Sequence, residues 1–231
     1  MAQMSPSSIA VALVAAMGGV ALFILSLTVG TSYQKNLRDL FKGNDEVAVE
    51  TPFVSAGDPS FGSKNADLTI IGYEDFLCVF CKEMQPIIKS AVESNGGRVR
   101  YVWKDFPMNI LHPGASKAHE AAHCAGEQEK FWEYHDMLYE KQEFLSDAVY
   151  QEIAAQLNID SKKFQRCFTS HKYAPRIAGS VSEGVNLGIT GTPYFFIGTL
   201  RVSEAISSFG FLKLVGEELR NQSADGSVEG E

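Results

Sequence analysis

The stretch "LTIIGYEDFLCVFCKEM", Leu68 to Met84, decides how this chain folds. It opens with "LTIIGYEDF", a β-branched and aromatic run of strand length that reads as a buried strand. Cys78 and Cys81 then begin a segment of helical character that lasts to about Ser94 and stops at "NGG". Pro86 lies inside that segment, so a kink or an interruption is expected there. "RVRYVWKDF" follows as a second strand, and strand, helix and strand together make one unit with a parallel crossover.

No other cysteine lies within forty residues of the pair. Sulfurs so placed have three readings. They are inert core residues, since free cysteine is commonly buried. They are half of a metal clip, although such a clip needs about four ligands and the chain has no second C-x-x-C. Or they are a reagent. Unpaired N–H groups and the dipole at a helix N-terminus favour an anion. Cys78 would then ionise more readily than an ordinary thiol, and the thiolate is the reactive form. Cys81, one turn further in, would sit deeper and close a disulfide with it.

Beyond the second strand the character changes. "GASKAHEAAHCAGEQEKFWEYHDMLYEKQ", "DAVYQEIAAQLNI", "DSKKFQRCFTSH" and "APRIAGSVSEGVNLG" are helical segments, an insertion of four or five helices over about 113–187. Phe131, Tyr134, Met137 and Leu138 share a face there. "TPYFFIG" and "TLRVSE" return to strand character, as a hairpin turning at Gly198-Thr199. A last amphipathic helix runs from about Ser208 to Arg220. This order is an α/β layout around a central mixed sheet.

The 231 residues, 45% hydrophobic and 21% charged, suffice for one domain of residues 67–220 with appendages. A net charge of -8 without a basic stretch argues against nucleic acid as a partner. The run from Ile9 to Gly30 carries no charge and is long enough to span a bilayer. Residues 1–30 are therefore expected to be an uncleaved transmembrane anchor, with a cleaved signal as the alternative. Lys35, Arg38 and Lys42 follow the run and by themselves would hold the domain in the cytoplasm, whereas the cysteine chemistry argues for the outside. Residues 31–66 read as a polar tether and 221–231 as a disordered acidic tail.

A second motif lies far downstream. "GTPYFF" puts Thr192-Pro193 just before a strand, and an X-Pro bond is the realistic place for a cis peptide, although a trans proline at a strand start is common. With "YEDFLCVFC", "KDFPMNILHPGASKAHEAAHCAGEQEKFWEYHDMLYE" and "GITGTPYFFIG", the chain from about Leu68 to Leu219 resembles the DsbA-like family of thiol–disulfide oxidoreductases. That resemblance implies a thioredoxin-like fold with a helical insertion, an extracytoplasmic domain, and catalysis by Cys78 and Cys81 without an organic cofactor. It implies that Thr192 and Pro193 present backbone groups to a peptide. Cysteine-containing folding proteins would be the substrates and a quinone-linked membrane protein the reoxidising partner. Val79 stands where related sequences most often carry proline, so the dipeptide Val79-Phe80 leaves the oxidising strength open, and Thr192 also occurs in reductase and isomerase relatives.

In some members of that family, cysteines in the insertion form a structural bridge. Cys124 and Cys167 are accordingly expected to pair, the alternative being two separate buried thiols. Glu74 and Asp75, at the end of the first strand, are candidate modulators of proton movement and thiol ionisation. Lys104 and Asp105 end the second strand near the same edge, and Trp103, Phe131 and Trp132 are read as core.

"HEAAH" offers a rival. On a helix, His119 and His123 would share a face and hold zinc with Glu120 as base and Glu143 as a further ligand, the arrangement of a metalloprotease. The residues argue instead for an enzyme without a metal, expected to introduce disulfides through Cys78 and Cys81. A reductase or isomerase of the same fold and a non-catalytic peptide-binding module are the remaining alternatives.

Overall fold

The structure, a computed structural model, describes residues 51–203 and 206–225. The expected anchor, the first part of the tether and the end of the tail lie outside the described residues. Among those described, no helix is long and apolar enough to cross a membrane.

The sheet has the order β1-β3-β2-β4-β5. β2 (Leu68–Glu74) and β3 (Val99–Asp105) pair in parallel, from Leu68 opposite Val99 to Glu74 opposite Asp105. The crossover between them is α1 (Val79–Glu93). β4 (Tyr194–Ile197) joins the other side of β2 antiparallel and continues into β5 (Leu200–Ser203) through a turn at Gly198-Thr199. The mixed sheet and the hairpin are as the sequence leads one to expect.

Alternation along β2 divides its side chains between two cores, as a period of two requires. Leu68 and Ile70 join the large core with α1 and most of the insertion. Ile71 and Tyr73 join a smaller one with Val102, Phe106, Leu187 and Phe196. α1 buries Cys81, Met84, Ile88, Ala91 and Val92, a helical stripe against the first of these faces. Burying Met84 and Ile88 contributes about 1.5–3 kcal/mol each, and these contacts flank Pro86. The helix accordingly runs through Pro86 without the expected interruption, because packing on both sides offsets one missing hydrogen bond.

Two expected boundaries shift. Ser60–Gly62, placed in the tether from sequence, forms β1, which pairs antiparallel with the edge of β3. Three residues without a hydrophobic alternation carry no strand signal of their own; the free edge of β3 supplies it. At the other end α7 spans Ser208–Asp225, so the helix continues into the expected tail.

The insertion consists of α2 (Ala115–Gly126), α3 (Phe131–Glu140), α4 (Asp147–Gln156), α5 (Ser161–Thr169) and α6 (Ala174–Asn186), with a short 3-10 turn at Gln142–Phe144. Cys124 on α2 and Cys167 on α5 form a disulfide across 43 positions of sequence. Phe131, Tyr134 and Leu138 are buried and Met137 packs partly buried against the same core.

Candidate active site

Cys78 is the N-cap of α1, with extended backbone angles. Its N–H donates to the Asp75 carbonyl and its own carbonyl accepts from Lys82 N–H, so the residue is held on both sides. Cys81 lies one turn on and is fully buried, while Cys78 is 5% exposed. Between them Val79 and Phe80 face solvent, about half exposed.

The Thr192-Pro193 peptide is cis. It brings the Thr192 carbonyl to 3.4 Å from Cys78 Sγ, across 114 positions of sequence. The insertion reaches the same loop: the Gln142 side-chain amide donates to the carbonyls of Phe76 (2.8 Å) and Cys78 (2.9 Å).

The two thiols differ in ionisation. A hydrogen bond from the Cys81 thiol is the largest influence on Cys78, and burial opposes it. With further hydrogen bonds from the Thr192 side chain and the N–H groups of Phe80 and Cys81, the Cys78 thiol is lowered to about 6. Cys81 is pushed well above the ordinary thiol value by burial, by its hydrogen bond to Cys78 and by the charge of Glu74.

Glu74 ends β2 and is completely buried. Its carboxyl meets the Gln85 amide at 2.5 Å, the Tyr139 hydroxyl at 3.4 Å and the Tyr101 hydroxyl. Burial raises this acid to about 8 in spite of those bonds. The Gln85 amide also donates to the Cys81 carbonyl at 2.8 Å, so one side chain joins the acid to the backbone of the second cysteine.

Asp75 takes another course. Its carboxylate accepts from Leu77 N–H (2.9 Å) and Met108 N–H (2.8 Å), and His112 lies 2.7 Å away. It thereby ties the loop before Cys78 to the loop after β3. Burial would raise it, but His119, His112 and the Leu77 N–H outweigh that and hold it at about 2.

His119 and His123, the histidines of "HEAAH", both grip Asp105, at 2.8 and 2.7 Å. Trp103 donates its indole N–H to the same carboxylate at 2.9 Å. Burial lowers His119, yet Asp105 at 2.8 Å and Asp75 at 3.7 Å raise it to about 9. Glu120 turns to His171 instead, at 3.0 Å. The metalloprotease reading is therefore overturned: the histidines are a clasp that fastens α2 to the end of β3. Among the described residues no group of His, Cys, Asp and Glu is arranged to hold a metal ion.

Lys104 ends β3 beside Tyr73 of β2, as the sequence suggests. It points to the opposite face from Asp105 and meets Asp58 and Glu183, each at 3.0 Å. Trp103 and Phe131 are buried as expected, and Trp132 is partly buried with its indole N–H on the Ser60 carbonyl.

Sequence reading missed Gln85, Tyr101, Tyr139 and Gln142. Gln85 had a signal, four positions after Cys81 on the same helix face. Tyr101 had half of one, on the inward face of β3. Tyr139 and Gln142 come from the insertion, and only tertiary packing brings them in.

The sheet, the helical insertion and the cysteine pair at the start of the crossover helix define a thioredoxin-like protein. Residues 55–217 match the thioredoxin family, and the chain belongs to that family. It is similar in fold to the thiol-disulfide exchange protein alpha-DsbA2 of Wolbachia pipientis, with a TM-score of 0.63 and 24% identity over 71% of this chain and 88% of that one. Oxidised BdbD of Bacillus subtilis gives 0.63 at 19% identity over 71% and 94%. Among curated proteins, Na(+)/H(+) antiporter NhaA 3 of Salinispora tropica is 35% identical over 136 residues, 59% of this chain. The match takes in 21% of that antiporter, so the chain spans about a fifth of its length.

Proposed function

We propose that this protein is an extracytoplasmic enzyme that introduces disulfides into cysteine-containing folding proteins. The observation that carries this reading is the unequal pair: a thiol at the helix start, lowered to about 6, beside a deeper one raised well above its usual value. In the oxidised enzyme a substrate thiolate attacks Cys78 Sγ. The Cys78–Cys81 bond breaks, a mixed disulfide forms, and Cys81 departs with the electron pair. Glu74, protonated below about 8, is the buried acid from which that thiolate takes a proton. The substrate's second thiolate then attacks its own sulfur in the mixed disulfide. Cys78 leaves as a thiolate, the substrate is oxidised by two electrons, and the enzyme is left reduced.

Thr192 and Pro193 hold the substrate backbone beside Cys78, while Val79 and Phe80 meet it on the exposed turn and tune the pair. Asp75 acts through the loop that it fixes. A quinone-linked membrane protein takes the electrons away, and no organic cofactor is needed. Residues 1–30 anchor the domain, tethered by the residues up to β1. An oxidising compartment is supported by the Cys124–Cys167 bridge, since such bonds persist outside the cytoplasm. It is also supported by similarity in fold to a periplasmic thioredoxin-like protein from Salmonella enterica.

A thiol at about 6 rather than 9 is about nine-tenths ionised at pH 7. That favours the reduced enzyme by about 1.4 kcal/mol, or about 30 mV for the two-electron couple. The test is the reduction potential of the pair in the full chain, held in mild detergent and equilibrated in graded glutathione buffers. A potential clearly above about -270 mV supports a disulfide-forming enzyme. A value at or below it makes the protein a reductase fed by an electron donor, and a pair that does not titrate reversibly ends the reading.

A further inference from the structure

Gly72 sits in the middle of β2, buried and paired with Trp103 on β3 and Phe195 on β4. Glycine weakens a strand interior, so its presence there asks for a reason. Backbone conformation is not the reason, because Gly72 is not among the residues with positive φ. Space is. A Cβ at position 72 would overlap the Tyr101 hydroxyl, lie 2.9 Å from Glu74 Oε1 and 3.0 Å from Tyr101 Cε2.

Residues 72 and 74 share the face of β2 that looks toward α1. The Glu74 side chain thus turns back along its own strand, and its carboxyl meets the Tyr101 hydroxyl in the volume that a side chain at 72 would fill. From the other sides the same carboxyl is met by Gln85 of α1 and Tyr139 of α3. The seat has walls from three elements and a floor of bare backbone.

We infer that Gly72 is a positioning residue for thiol–disulfide exchange: its missing side chain makes the seat in which the Glu74 carboxyl and the Tyr101 hydroxyl are held, one side-chain amide (Gln85) away from the Cys81 backbone. This rests on the reading of Glu74 as the proton donor to Cys81. It adds that the acid's place is set by a residue that itself touches no reacting atom.

The test uses the full chain labelled with 13C at the glutamate carboxyls, the Glu74 signal being identified by its loss in Glu74→Gln. Two variants separate the pair. Gly72→Ala pushes hydroxyl and carboxyl apart, and Tyr101→Phe removes the hydroxyl without adding volume. Each takes one hydrogen bond from the carboxylate, worth an upward move of its titration midpoint by roughly 1–2 pH units. The rate at which Cys81 resolves a mixed disulfide between Cys78 and a small thiol should shift its pH midpoint in the same direction. Gly72→Ala combined with Tyr101→Phe should show no further shift and should melt above Gly72→Ala alone, because the closest overlap, with the hydroxyl, is gone while the contacts with Glu74 Oε1 and the ring carbon remain. Tyr101→Phe alone, which adds no volume, keeps the test valid if Gly72→Ala by itself folds poorly.

A Glu74 midpoint that stays in place in Gly72→Ala while the melting temperature falls makes the glycine a packing residue and overturns the inference. So does a full additional shift in the double variant. If the carboxyl shifts as expected but the wild-type pair exchanges no disulfides, the seat stands and the enzymatic reading fails.

Discussion

The Cys81 thiol hydrogen bond is the largest influence holding Cys78 at about 6, and Cys81→Ala removes it alone. A hydrogen bond to a charged group is worth about 1.5–3 kcal/mol, which corresponds to roughly 1–2 pH units. The Cys78 midpoint in Cys81→Ala is therefore expected at about 7–8, and in Cys81→Ser, which keeps a donor, close to its wild-type position. The assay is the thiolate absorbance near 240 nm across pH, with alkylation followed by mass to assign the titrating sulfur. Reactivity at a single pH is a poor substitute. Raising the midpoint lowers the thiolate fraction but makes the remaining thiolate a better nucleophile, with a Brønsted coefficient of about 0.4–0.5, so the two effects largely cancel. A Cys81→Ala midpoint still near 6 would falsify the assignment, leaving the helix N-terminus and Thr192 as what stabilises the anion.

Other perturbations read other parts of the molecule. Glu74 is raised from about 4.5 to about 8 by burial, so its contribution to stability is fully present below 4.5 and is lost as pH rises through 8. Glu74→Gln should flatten that window by up to about 5 kcal/mol, measured by urea unfolding at successive pH values. Equal slopes in both proteins would count against the buried acid. Asp105→Asn leaves His119 without its nearest counter-charge and should cost about 3–5 kcal/mol, with most of the loss at pH below 9, where His119 is charged. A neutral result would mean that the clasp contributes little. Replacing both Cys124 and Cys167 by serine reopens a loop of 43 positions and should lower stability by about 4 kcal/mol in the chain-entropy account, without moving the Cys78 midpoint. A changed midpoint would show that the bridge acts on the site as well.

Where pattern is local, the sequence was legible. The run before Cys78, the crossover helix, the hairpin at Gly198-Thr199 and the helical block all follow from periodicity and turn residues within short windows. Of the kink or interruption expected at Pro86, the interruption does not occur, because burial on both sides overrules the local rule. β1 was invisible because its strand character comes from the edge of β3. "HEAAH" misled for a related reason: a motif fixes which side chains share a helix face, and Asp105, on another element, decides what they face. The seat of Glu74 was half legible, since the acid was singled out but Gly72 passed as an ordinary strand residue.

The approach of Cys78 to the Thr192 carbonyl also has a meaning in time. A chain leaves the ribosome beginning with its N-terminus. Cys78 emerges 114 positions ahead of the carbonyl it will face, and 64 ahead of the glutamine that braces its loop. Until those segments arrive it has Cys81 and the helix start close by in sequence, but neither the Thr192 side chain that helps to lower it nor the amide that braces its loop. The temper of this thiol is thus set first by its near neighbours in sequence and completed only when the distant segments arrive.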